Sequence, residues 1–239
     1  MADTVETWSG EHIAALVSTA AVAALLVAGA RRWGDTWAVP TGRGLAAVIL
    51  GGYVCEHLTY ALRGEWTAQL NLPLHLTDVV TLASIAALWR PQSAVLVELV
   101  YFWALSASAQ AVLTPDLGQG FPDVLFFTYF VTHSGAVAAA CLLVFGARRT
   151  PRPGAVRRTY AITLAVANVA AVATVVTGGN YMFLRAKPSH DSLLDLMGPW
   201  PVYILTAAAL GLLIFLALAA CARRITPRSQ PSTIRCHSG

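Results

Sequence analysis

Seven apolar stretches divide this sequence from end to end: 12–30, 44–62, 73–89, 93–113, 124–146, 159–177 and 200–222. A helix rises about 1.5 Å per residue, so roughly 20 apolar residues cross the hydrocarbon of a bilayer. The stretch 73–89 is the shortest of the set. Alternation of strand type is missing, which argues against a β-barrel. The expected fold is therefore all-α: a polytopic membrane protein with a bundle of seven transmembrane helices. Composition agrees, because 12% of the residues are charged where a soluble domain carries about 25%.

Lysine and arginine set the expected orientation, since cytoplasmic loops are the basic ones. With the N-terminus outside, thirteen basic residues fall on inner loops and the C-terminal tail. Only Arg63, Arg185 and Lys187 fall on outer segments. The expectation is an N-terminus outside, a C-terminus in the cytoplasm, and a multi-pass protein of a bacterial plasma membrane. Residues 1–222 are expected to form one transmembrane domain, and 223–239 a basic, disordered cytoplasmic tail. The first residues are acidic, without the basic start of a signal peptide, so 12–30 is read as a retained helix. The pI of about 9.1 follows from the loop bias and does not point to nucleic acid. Cys55, Cys141, Cys221 and Cys236 are scattered, with no CxxC spacing, so neither a metal knuckle nor a disulfide frame is indicated.

The stretch NLPLHLTDVV (71–80) raises the functional question. His75, Thr77 and Asp78 open the third span from its outer end. Glu56 and His57 close the second span, Gln110 closes the fourth, and His133 lies about ten residues into the fifth, roughly 15 Å deep. These groups share the outer half of the bilayer, while Glu98 sits near the inner end of the fourth span. Ionisable groups inside spans are costly and face a bundle interior or a wet cavity.

A hydroxyl needs a base to act as a nucleophile, and histidine is the commonest base. Thr77 and His133 supply that pair if the third and fifth spans touch, with Asp78 or Glu56 to orient an imidazole. Each residue also has a plain structural use: histidines near a boundary bond at the interface, carboxylates link helices, and membrane threonines bond back to their own carbonyls. Three histidines and two carboxylates suit zinc, but no HxxxH or HExxH spacing occurs, and no metal or other cofactor is expected. The only lysine, Lys187, lies in an outer loop, so a retinal Schiff base within the last helix is excluded.

Four stretches carry a family resemblance: LPLHLTD (72–78), YFWALSASAQAVLTPDL (101–117), FP (121–122) leading to His133, and GGNYMFLRAKPSHDSLLDLMGPWPVY (178–203). Together they resemble the YwaF-like bacterial integral membrane proteins. That family is distantly similar to a vertebrate transmembrane phospholipid acyltransferase and to androgen-induced hydrolases of fatty-acid esters. The resemblance implies acyl chemistry with Thr77 as nucleophile and His133 as base. Many YwaF-like proteins have cysteine where this chain has Thr77, and a hydroxyl depends on its base more than a thiol does.

The outer segment NYMFLRAKP adds Asn180, Tyr181, Arg185 and Lys187 above the proposed centre, where the two cations suit a lipid phosphate or carboxylate. Two functions follow. One is an intramembrane lipid-acyl ester hydrolase or acyltransferase, with Glu56, His75, Asp78, Gln110, Asn180, Tyr181, Arg185 and Lys187 binding or orienting. The other is a non-catalytic transporter or lipid-binding protein using the same polar cavity. Membrane lipids are the expected partners in both.

Overall fold

The computed structural model describes residues 6–188 and 192–225. Seven helices of 14 residues or more dominate, and no strand occurs among the described residues. They are α1 (Gly10–Trp33), α2 (Asp35–Leu62), α3 (Leu76–Trp89), α4 (Ala94–Leu113), α5 (Val124–Gly146), α6 (Ala155–Thr177) and α7 (Val202–Ile225). Helix α7 carries Arg223 and Arg224 in its last turn; the expected tail from residue 226 onward lies outside the described residues.

Among the described residues six helices are long and apolar enough to cross a membrane, and α3 is not. Its 14 residues rise about 21 Å, short of the ~30 Å hydrocarbon thickness. The expected third span therefore loses its first turn. Pro73 has no amide hydrogen and holds Leu72 out of the α region, so the chain turns there, with Leu74 N–H on Leu72 O at 2.7 Å. The helix begins only after His75.

The outward faces are apolar. Val175 is 83% exposed and Leu205 71%, with Val17, Leu25, Leu58, Val172 and Leu213 in the same state. A water-soluble monomer does not carry such a continuous apolar coat. Hydrocarbon satisfies it, and the molecule is a polytopic membrane protein.

The interior centres on α3, α4 and α5. Tyr101, Phe102 and Trp103 are fully buried on α4 and form the docking surface for the last two helices. Trp103 Nε1–H donates to Thr163 Oγ1 at 2.7 Å, and Tyr101 O–H to the Leu218 carbonyl at 2.8 Å. Buried aromatics with polar tips need such partners. Beyond Trp103, α4 widens into π-type turns over Ala104–Ser108, and α5 does the same over Cys141–Gly146.

Small residues let α2 and α5 approach closely, as helices in lipid require. A Cβ at Gly52 would lie 2.7 Å from Val131 Cγ1, and one at Gly135 2.6 Å from Ile49 Cγ1. At the end of the bundle where α2 begins, Leu88 packs on Gly42 and the Arg43 guanidinium lies over Trp89 at 5.6 Å. These contacts fix the register of three helices. Counting along the antiparallel pairs, Thr77 comes level with Tyr53, and Tyr53 with residues 130–131 of α5. His133 stands only roughly 4 Å further along by helix rise.

Glu98 belongs to that same end and is 1% exposed. Its carboxylate accepts from Arg152 Nε at 2.9 Å and from Arg158 Nη2 at 2.8 Å. The α5–α6 loop is thereby tied onto α4. Glu98 is thus an ion-paired anchor between α4 and the start of α6.

Candidate functional site

Helix α3 packs against both α2 and α5, so the adjacency that a Thr77–His133 pair requires is present. Electrostatic proximity draws the polar groups of these helices together. Glu56 lies within electrostatic range of Asp78, and Tyr53 within range of both. Tyr129 on α5 feels Glu56 and Asp116, and His75 also feels Asp116. Glu56, His75, Thr77, Asp78 and His133 are each half-buried.

Thr77 occupies the second position of α3, after the N-cap His75 and Leu76. Threonines deeper in these helices bond back to the carbonyl four residues earlier, as Thr81 does to Thr77 O at 2.9 Å. For Thr77 that carbonyl would be Pro73, which lies outside the helix, and its hydroxyl makes no hydrogen bond among the described residues. The amides of Asp78 and Val79 turn back to His75 O at 3.1 and 3.2 Å. The amides of Leu76 and Thr77 have no such acceptor among the described residues. A helix start with open N–H groups attracts negative charge.

His133 is held in one orientation. Its Nδ1 lies 2.9 Å from the Tyr129 carbonyl oxygen and 3.1 Å from Thr132 Oγ1. A carbonyl only accepts, so Nδ1 carries the proton and the lone pair resides on Nε2. The Tyr129 ring stacks on the imidazole at 4.1 Å and 18°. Tyr129 is itself anchored, with its O–H on the Ala111 carbonyl at 2.9 Å. Sequence reasoning missed Tyr129, although it stands one turn before His133, where side chains meet. It also assigned the orienting role to Asp78 or Glu56, whereas a backbone carbonyl fills it.

Asp78 has a local duty: its Oδ2 accepts the His75 N–H at 3.1 Å and so closes the first turn of α3. His75 joins that turn to the α6–α7 loop, with Met182 N–H reaching Nδ1 at 3.4 Å and the Tyr181 ring 5.2 Å away. Met182 and Phe183 there have φ of 53° and 55°, a left-handed conformation that costs non-glycine residues energy and needs strong support. The Tyr203 hydroxyl supplies some, donating to the Phe183 carbonyl.

The remaining candidates build loops. Tyr181 is fully buried; its hydroxyl donates to Ala68 O at 2.7 Å and accepts from Leu72 N–H at 3.0 Å. Asn180 closes its own turn through Ala186 O at 2.8 Å and the Arg185 amide at 2.9 Å. Gly179 admits the Gln69 carbonyl where any Cβ would collide with it. Arg185 donates to Gly178 O at 3.1 Å, and Lys187 lies 3.6 Å from Asp195 Oδ1. Gln110 is exposed and bonds to Thr114 at 3.1 Å within its own helix end. His57 accepts from Trp66 Nε1–H at 3.3 Å. His12, buried, bridges α1 to the Val112 carbonyl at 2.9 Å. No cluster of three or more His, Cys, Asp or Glu side chains suited to a metal ion occurs among the described residues.

At the rim, Arg63 clasps Asp123 at 2.9 Å. Asp123 also caps α5 by accepting Leu125 N–H at 2.8 Å. The Leu125 amide first, and the Arg63 guanidinium after it, outweigh the opposing effect of burial and hold the Asp123 carboxyl below the usual carboxylate range.

No curated protein and no solved structure matches the chain at a significant level. The model of one family, the TMEM164 family, matches residues 7–219.

Proposed function

The chain belongs to the TMEM164 family, a transmembrane protein family, and on that premise we propose that it is an intramembrane enzyme acting on lipid acyl esters. The observation that carries the reading is the presentation of His133. Its Nδ1–H is fixed on the Tyr129 carbonyl, which leaves Nε2 as a base at nearly the depth of the unbonded Thr77 hydroxyl. In the proposed reaction Thr77 Oγ attacks the ester carbonyl carbon while Nε2 takes the hydroxyl proton. The carbonyl oxygen, now negative, meets the open amides of Leu76 and Thr77 at the start of α3. The ester C–O bond then breaks, the proton passes from His133 to the departing alcohol, and the acyl group stays on Thr77. Water completes hydrolysis, or a second lipid alcohol completes transfer. The resemblance to YwaF-like proteins and their acyl-transferring and ester-cleaving relatives favours the same chemistry.

The reading includes seven crossings, with the 63–75 segment completing the passage that α3 begins. The N-terminus is outside, the C-terminus is in the cytoplasm of a bacterial plasma membrane, and residues 1–222 act as one domain. The thirteen-to-three partition of basic residues supports that orientation, and substrate then approaches sideways from the outer leaflet. Turnover of a fluorogenic phospholipid ester by the full chain in vesicles tests the proposal. Thr77→Ala and His133→Ala should each remove turnover while the helical spectrum and melting point hold. Undiminished turnover in both folded variants rejects it.

A further inference from the structure

A second feature lies at the opposite end of the bundle and is independent of the outer centre. Between the start of α6 and the last turns of α7 lies a groove of about 1520 Å³. Its walls are apolar, with Ala161 and Leu164 on one side and Leu212, Leu216 and Ala219 on the other. Its mouth is basic: Arg157, Arg223 and Arg224 lie there, all exposed and none in an ion pair among the described residues. Arg152 also stands at the mouth but is engaged by Glu98 at 2.9 Å. Among the described residues no acidic side chain lines the groove. The start of α6, after Gly154, turns its positive dipole end toward the same opening.

We propose that this groove holds an anionic phospholipid, its phosphate among Arg157, Arg223 and Arg224 and one acyl chain between α6 and α7. Three arguments fix the occupant. Length comes first: from Arg224 to Leu212 the groove runs about 18 Å by helix rise, close to half of the ~30 Å hydrocarbon core, so it spans one leaflet. Chemistry comes second, because planar guanidinium groups bind phosphate oxygens in pairs while the walls offer only hydrocarbon. Charge comes third. Among the described residues lining the groove none is acidic, so nothing there neutralises Arg157, Arg223 and Arg224. Basic clusters at the cytoplasmic ends of helices are suited to anionic headgroups.

Native mass spectrometry of the full chain tests the assignment, with phosphatidylglycerol or phosphatidylcholine added at equal concentration in mild detergent. The wild type should retain phosphatidylglycerol at least tenfold more than phosphatidylcholine. The triple variant Arg157→Gln, Arg223→Gln, Arg224→Gln should lose that preference, and Leu216→Trp, which fills the apolar wall, should lose bound lipid of both kinds. Inorganic phosphate at millimolar concentration should leave the retained lipid in place. Equal retention of the two lipids, or an unchanged preference in the triple variant, overturns the proposal. So does displacement by inorganic phosphate, which would make the cluster a site for the free anion. A dimer in the wild type that Leu216→Trp disperses would assign the groove to a second copy and also overturn it. Turnover of lipid ester by the triple variant reports separately on the outer centre, which none of these substitutions touches.

Discussion

His133 and Tyr129 form a coupled pair on one face of α5: the imidazole donates through Nδ1 to the Tyr129 carbonyl at 2.9 Å, and the two rings stack at 4.1 Å. One residue thus fixes both the tautomer and the ring plane of the other. The backbone half of this arrangement survives any substitution at position 129 that keeps the helix, and the stacking half does not.

Tyr129→Phe should therefore preserve most ester turnover, because the ring remains. Tyr129→Leu removes the stack, worth about 1 kcal/mol, and should lower the turnover rate roughly fivefold. Rates of the two variants under saturating lipid ester check this. An equal loss in both would show that the hydroxyl bond to Ala111, and not the stack, positions the imidazole.

The Glu98 anchor makes an asymmetric prediction. The Glu98 side chain is 2% exposed, while Arg152 and Arg158 are 49% and 36% exposed. Removing both guanidinium groups leaves the buried carboxylate only the backbone amide of residue 152 at 3.1 Å, a loss of about 3 kcal/mol. Glu98→Gln frees two arginines that reach water, and its cost should be smaller. Thermal unfolding in detergent of Glu98→Gln against Arg152→Ala/Arg158→Ala measures the order, which should not reverse.

The rim pair predicts a pH dependence. A carboxyl held below its unfolded value adds stability above that value, near 4, and the contribution disappears as pH falls through the folded value. Stability of the wild type should thus fall below about pH 4 in part through Asp123. Asp123→Ala should cost about 1 kcal/mol at neutral pH, the usual loss for an N-cap, and flatten the acid limb. Melting points of both proteins from pH 3 to 7 check the prediction. The partly exposed ion pair with Arg63 adds little to that sum.

Much of this architecture is legible in the sequence, and the reasons are physical. Apolar runs locate helices because only length and composition matter to hydrocarbon: 124–146 and 93–113 match their helices almost to the residue. The third span fails for a local reason, since Pro73 and the turn at Leu72–Leu74 delay α3 to Leu76. Helix α2 starts earlier than its apolar run because Asp35–Gly42 is not hydrophobic enough to register. Depth could be counted, and Glu56, Asp78 and His133 do come from neighbouring helices. Direction could not be counted. Nothing in NYMFLRAKP shows that Asn180 closes its own turn or that Tyr181 binds the main chain of Ala68 and Leu72, nor in the fifth span that a carbonyl would hold His133. Hydrogen bonds to main chain leave no mark in composition.

The account rests on acyl transfer to Thr77 with His133 as base, and covalent capture measures that most directly. The full chain in lipid vesicles is treated with a long-chain alkyl fluorophosphonate, whose fluoride leaves as an activated hydroxyl attacks phosphorus. Peptide mass spectrometry then locates the adduct. The wild type should be labelled on Thr77, and folded His133→Ala should show at least a hundredfold slower labelling, in keeping with the usual contribution of a general base. Absence of an adduct on Thr77 in the wild type, or equal labelling without His133, would contradict it.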